Sequence, residues 1–297
     1  MDLYIFCDWI EASALFLKKE VTGSDLIDIL TENNIYKSQA FAWELVNDAF
    51  SIVDVRARLI GEGYPLVATA DGVAPKGDWG DYTPYAFCLM LSMAKSHGVW
   101  VRDTFGTDFT AQGELFERLT AEAVTIAFRG WSVHATGWTR TRTARIKQVV
   151  EGVCTQLNEA AGEVLHWTAA TAKEAGLDLV TYRPFADGNV GVPVYLWQCA
   201  SGMDWVHKRK TPDLALWQRI VSWAVTPRKA MAMPFALSDT EMRQHSVIVE
   251  GLLLDRHRLL EPGMDNRDWV SDDLRGSLID WLRPRIAVVP IFAMAAI

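Results

Sequence analysis

Cysteine is scarce in this chain of 297 residues: Cys7, Cys88, Cys154 and Cys199 are the four, and none is placed to form a CxxC pair or a cysteine/histidine ligand set. This spacing disfavours both a disulfide framework and a structural zinc site, and a reducing, cytoplasmic setting is expected. Long apolar runs are missing too. No stretch of about 18 uninterrupted apolar residues occurs, so no membrane span is expected. The N-terminal MDLYIFCDWIEASALF opens on an acidic residue and is interrupted by Asp8 and Glu11, unlike a secretory signal. Positive charge is in deficit: the net charge of -8 rules out a uniformly basic nucleic-acid coat and leaves phosphate binding to a local patch.

Several catalytic signatures are absent. The six histidines form no HExxH or HxxxH pair, which removes the usual basis for a zinc hydrolase. No GxxxxGK[ST] loop, strand-linked GxGxxG or GxSxG elbow is present. The chain is therefore not expected to bind ATP or a dinucleotide, or to act as a serine hydrolase. There is no internal repeat and no low-complexity tract.

What is present is a globular composition, 50% hydrophobic and 22% charged, with room for one large or two medium domains. The first third has helical spacing in LYIFCDWIEASALFLKKE, in DLIDILTEN after the cap candidate Ser24, and in QAFAWELVNDAFSIVDVRARLIG. GYPLVATADGVAPKGDWGDY concentrates Gly, Pro and Asp and predicts an irregular connection or a hairpin; TPYAFCLMLSMAKS then resumes a buried helix. These segments predict a helical accessory or interaction domain over residues 1–107.

From Gly113 the texture changes. GELFERLTAEAVTIAF predicts an amphipathic helix and WSVHATGW a short strand. LDLVTYRPF and VPVYLWQCA predict two antiparallel strands, since both are rich in β-branched and aromatic residues and ADGNVG between them has turn chemistry. A helix through DLALWQRIVSWAV, a strand in KAMAMPFAL and a closing helix in DDLRGSLIDWL complete a mixed α/β pattern over 108–297.

Chemistry-bearing residues sit at particular points of this pattern: Glu117 in GELFERL, Asp178 in AGLDLV and Gln198 in YLWQCAS, the last two 20 positions apart across the hairpin. In this order they resemble the restriction-endonuclease-like PD-(D/E)XK nuclease superfamily, over roughly residues 113–235. The resemblance implies an αβββαβ core with helical insertions and a metal-dependent endonuclease that hydrolyses phosphodiester bonds, DNA foremost. It implies Mg²⁺, with Mn²⁺ as substitute, held by Asp178, Gln198, the Cys199 carbonyl and Glu117, with Glu114 as an alternate. Oxygen ligands of this kind suit magnesium, which keeps several waters and substrate oxygens in its shell.

Strand alternation puts residue 200 on the face of Gln198, where such nucleases carry a lysine; here it is Ala200. The downstream HKRK offers a replacement, Lys208 first and Lys210 second, on a flexible ammonium arm. Arg140, Arg142, Arg145, Arg209 and Lys210 are the candidate phosphate contacts. Similar proteins belong to prokaryotic restriction and antiphage systems, so a homodimer or a protein partner in a defence complex is expected. The missing lysine and the neutral Gln198 keep a second reading open: a nuclease fold that no longer cuts and serves as a nucleic-acid-binding or assembly subunit.

Each residue also has an ordinary explanation. Asp178 can start a hairpin, Gln198 can satisfy a strand end, Cys199 can be a small buried hydrophobe, Glu117 can lie on a helix surface, and the basic runs can be solvated faces.

Overall fold

The computed structural model describes residues 2–33, 35, 38–136, 138–139, 142–143, 146–169 and 175–289. In chain order the first elements are α1 (Leu3–Leu17), β1 (Val21–Thr22), α2 (Gly23–Glu32), α3 (Gln39–Ile60), β2 (Leu66–Ala68), β3 (Gly72–Pro75), α4 (Thr83–Ser92) and α5 (Ala94–Phe105). Next come α6 (Thr110–Ala127), β4 (Ser132–Ala135), β5 (Trp138–Thr139), β6 (Arg142–Thr143), α7 (Ile146–Leu157), β7 (Ala160–Ala161) and α8 (Val164–Trp167). The hairpin strands β8 (Leu179–Tyr182) and β9 (Val194–Cys199) lead into α9 (Leu214–Ile220), β10 (Val221–Ser222) and β11 (Arg228–Ala232). The chain closes with α10 (Asp239–Val249), β12 (Gly251–Leu254), α11 (Arg256–Leu259) and α12 (Asp272–Ile286).

Two compact units result: Met1–Asp108 with Pro234–Ala236 and Arg256–Ile297, and Phe109–Met233 with Leu237–Asp255. The first unit is mostly helical. Its α1 starts where the Asp2 carboxylate accepts the free Tyr4 and Ile5 amides at 2.9 and 3.2 Å, and α4 is buried along its whole length. The Gly/Pro/Asp-rich stretch forms the antiparallel β2–β3 hairpin, to which β1 adds.

Residues 256–289 pack in the first unit. The reason is electrostatic as well as apolar. Asp8 and Glu11, which break the apolar pattern of α1, are buried, and Arg56 Nη1 meets them at 2.8 and 2.9 Å. Arg256 Nη2 adds a contact of 2.9 Å to Asp8, while the Tyr64 and Tyr85 hydroxyls donate to Glu11 at 2.8 and 2.7 Å. Burial alone would raise the Asp8 pKa, but the Arg256 and Arg56 guanidinium groups override it and hold the carboxyl well below the usual range.

The second unit is built on a five-stranded sheet, order β12-β11-β9-β8-β4. The β4/β8 and β8/β9 pairs are antiparallel, whereas β9/β11 and β11/β12 are parallel. In the β8–β9 connection the Asp187 carboxylate accepts the Asn189 amide at 3.2 Å, and Gly188 and Gly191 take φ values of 64° and 86°. On one face Val180 and Leu196 join Val150 and Val153 of α7 and Trp217 and Ile220 of α9 in a buried core. On the other, α6 packs against β4 and β9, and the Phe128 ring lies 6.2 Å from that of Trp197. Each such large side chain, fully buried, stabilises the unit by about 1.5–3 kcal/mol before ordering costs.

The charge is unevenly divided. The second unit has 15 Lys/Arg against 15 Asp/Glu and is neutral, while the first has 14 against 22 and carries the whole net -8. Among the described residues no helix is long and apolar enough to cross a membrane.

Candidate functional site

Adjacent strands place the two central residues together. The β8/β9 register pairs Leu179 with Trp197, so Asp178, one residue before β8, lies beside Gln198 and Cys199 at the end of β9. Its amide donates to the Trp197 carbonyl at 2.9 Å. Its Oδ2 accepts from Gln198 Nε2 and from the Cys199 backbone amide, both at 2.5 Å. The other end of the Gln198 side chain, Oε1, accepts from the Thr211 hydroxyl at 2.9 Å. Thr136 secures the approach to β8: its hydroxyl donates to the Leu177 carbonyl at 2.5 Å and its amide to the Asp178 carbonyl at 3.0 Å.

Glu117 is brought in from α6. It is buried, and with Asp178 it acts on the Cys199 thiol from within the same interior. Burial, then the Asp178 and Glu117 carboxylates, push that thiol well above its ordinary pKa, so Cys199 is an inert thiol rather than a nucleophile. Glu114, one helical turn earlier, is half-buried. The groups that meet here are thus the Asp178 carboxylate and the Gln198 amide nitrogen and Cys199 N–H that donate to it, with the Gln198 oxygen turned to Thr211 and the Glu117 carboxylate bordering them.

Such a donor set fits magnesium or manganese, being made of hard oxygens with no thiolate or imidazole. Among the described residues no three His, Cys, Asp or Glu side chains are grouped to hold a metal ion. A cation here would accordingly draw on amide and backbone oxygens as well as carboxylates. Asp178, Gln198 and Glu117 are each only 6–7% exposed, so a polymer substrate reaches them only if the surface above them opens.

The basic candidates are not gathered at these oxygens. Lys208 ends the turn Met203–Lys208 and approaches the site through its main chain: its carbonyl lies 2.7 Å from Thr211 Oγ1, a second acceptor for that hydroxyl. Among the described residues neither the Lys208 nor the Lys210 ammonium forms a hydrogen bond or an ion pair. Arg209 is engaged in the fold, its Nε donating to the Val206 carbonyl at 2.7 Å and its Nη1 lying 2.9 Å from His245 Nδ1. Arg140 and Arg145 lie outside the described residues, and Arg142 belongs to β6. Lys147, in the same basic run, is an exposed partner of Glu151. Ala200 is fully buried and its amide donates to Ala232 at 2.9 Å, leaving no space for a lysine arm.

Three contributors to the site, Thr211, Thr136 and Gly176, were not foreseen. Thr211 and Thr136 stand 13 and 42 positions from the residues they bond, and nothing in a threonine's local sequence announces such a partner. Gly176 carries a weak signal as the glycine of Gly-Leu-Asp. It has φ 71°, and a Cβ there would lie 2.9 Å from Thr211 Cβ and 3.3 Å from Gln198 Oε1. Outside this set of contacts, Lys229 on β11 is buried, and burial lowers its pKa while Glu250 and Asp213 oppose that shift and Lys210 adds to it.

Comparison of the chain with protein-family models, curated proteins and solved structures finds no match.

Proposed function

We propose that the second unit is a metal-dependent nuclease-like domain of the restriction-endonuclease type, cutting a phosphodiester of DNA. The observation that carries this reading is the convergence of Glu117, Asp178 and Gln198, three residues far apart in the chain, on one end of β9. The element order α6, β4, β8, β9, α9, β11, interrupted by the α7–α8 insertion, also agrees with the αβββαβ order that the resemblance implies. Bound at Asp178, Gln198, Cys199 and Glu117, Mg²⁺ or Mn²⁺ would supply positive charge for the developing phosphorane-like anion and lower the pKa of an attacking water.

The chain's own residues have narrower tasks. Asp178 is the fixed anionic ligand, oriented by the Cys199 amide. Gln198 is the neutral second ligand, and Lys208 is the candidate for assisting proton removal from water, its backbone already tied to the site by Thr211. The neutral second unit supplies any phosphate contacts from Lys210 and the 140–145 segment.

The acidic first unit suits a protein partner better than a polyphosphate. It carries a groove of about 570 Å³ with Trp43, Phe50, Asp54, Tyr64 and Asp71 in its walls and no Lys or Arg among its lining residues. A guarded nuclease of a prokaryotic antiphage complex, opened by a partner, is consistent with a site this buried.

One observation favours the non-catalytic reading: the Gln198 amide already donates to Asp178, and its oxygen is turned to Thr211. The two readings separate in one experiment. Plasmid DNA is incubated with the protein, Asp178→Ala and Lys208→Ala in Mg²⁺ or Mn²⁺. Cutting by the parent that falls by at least about 100-fold in Asp178→Ala is expected. Equal outcomes for parent and Asp178→Ala remove the catalytic reading, and full activity of Lys208→Ala removes that lysine's role alone.

A further inference from the structure

We infer that Thr211 is the positioning residue of this site: its hydroxyl holds the Gln198 side chain in either of two amide orientations, so that Gln198 can pass from donating to Asp178 to offering its oxygen to a divalent cation. The inference rests on the metal-dependent reading above and adds to it a residue and a movement.

The Gln198 amide is gripped at both ends. Nε2 lies 2.5 Å from Asp178 Oδ2, and Oε1 lies 2.9 Å from Thr211 Oγ1. A half-turn about the last side-chain bond exchanges the two ends, which are nearly equal in size. After the exchange two oxygens face each other, Gln198 Oε1 and Asp178 Oδ2. With no proton between them they repel, and a divalent cation bridging them reverses that repulsion. Magnesium at about 2.1 Å from two adjacent octahedral ligands sets those ligands about 3 Å apart, so the pair has to open by only a few tenths of an ångström.

The other end of the amide decides whether the exchange is possible. In the first orientation the Thr211 hydroxyl donates to Oε1. In the second it faces an NH₂ group and must accept. A hydroxyl can do both, provided its proton has another acceptor, and the Lys208 carbonyl stands 2.7 Å from Thr211 Oγ1. The Asp178 carboxylate keeps the Cys199 amide, at 2.5 Å, throughout. Gly176 lets the threonine come this close, because a Cβ at that position would press on Thr211 Cβ at 2.9 Å.

The test uses the full chain without nucleic acid. Mn²⁺ affinity is measured by calorimetry for the parent, Thr211→Ser and Thr211→Val, and the Gln198 side-chain NH₂ resonances are followed during a Mg²⁺ titration of the parent. Thr211→Ser is expected to bind within about twofold of the parent and Thr211→Val about five- to tenfold more weakly, the loss of one hydrogen bond. Saturating Mg²⁺ should shift the Gln198 NH₂ pair. Parent-like Mn²⁺ binding by Thr211→Val, or a Gln198 NH₂ pair that does not move, overturns the inference. A parent protein that binds no Mn²⁺ overturns the metal-dependent reading itself. If Thr211→Val fails to fold, the resonance titration of the parent decides alone.

Discussion

At the scale of single residues, the site depends on close approaches that tolerate little change. Gly176 is the sharpest case, combining a left-handed backbone with a neighbour at van der Waals limit. Alanine there meets both backbone strain and the Thr211 methyl group. Gly176→Ala is expected to destabilise the second unit by about 2–3 kcal/mol, read as a lower denaturation midpoint with the slope unchanged. An unchanged midpoint would mean that the Gly176–Thr211 approach is not maintained in solution. Neither Gly176 nor its partner was singled out in the sequence, where AGLDLV drew attention only for Asp178, because Thr211 reaches Gly176 only through the fold.

Among elements, β9 explains why a lysine does not occupy position 200. Its even-numbered residues share a face with the α7–α9 core, and Ala200 continues that face at zero exposure. The parallel pairing with β11 continues there through the Ala200 amide and the Ala232 carbonyl at 2.9 Å. A lysine would need a volume that this fully buried position does not hold. Ala200→Lys is therefore expected to destabilise the second unit by at least about 3 kcal/mol and to restore no cutting, checked by thermal unfolding beside the plasmid assay. A stable variant with raised activity would contradict the packing described for this strand end. Alternation within a strand is a local property, so the shared face of Gln198 and Ala200 was readable from residue order. The parallel β11 neighbour that closes the face was not, since strand direction is set by the intervening α9.

For the whole molecule, the buried ionic cluster of the first unit ties its N-terminal and C-terminal segments. Asp8 is held far below the pKa of an unfolded aspartate, close to 3.9. A lowered folded value means that the carboxylate stabilises the fold fully above the unfolded value, and that this contribution is lost as pH falls from about 4 toward the folded value. The melting temperature of the first unit should therefore drop steeply in acid. Asp8→Asn is expected to cost about 3–5 kcal/mol at neutral pH, by leaving Arg56 and Arg256 buried without a counter-charge, and to flatten that acid limb. Parent and variant sharing one acid profile would place the acid sensitivity elsewhere.

Hydrophobic spacing, turn chemistry and residue order were enough to read the N-terminal helices, the β8–β9 hairpin, the α6 helix that carries Glu117 and a mixed α/β second region, because each is specified by neighbours a few positions apart. Asp178 and Gln198 were singled out by the nuclease resemblance, and their pairing follows from a hairpin's register. Long-range complementarity lies outside such patterns. Asp8 and Glu11 looked like interruptions of an apolar helix until Arg256, 248 positions from Asp8, proved to be the counter-charge. For the same reason residues 256–289 join the first unit and Thr211 joins the site: a buried charge or amide must find its partner wherever the folded chain brings one within hydrogen-bond reach.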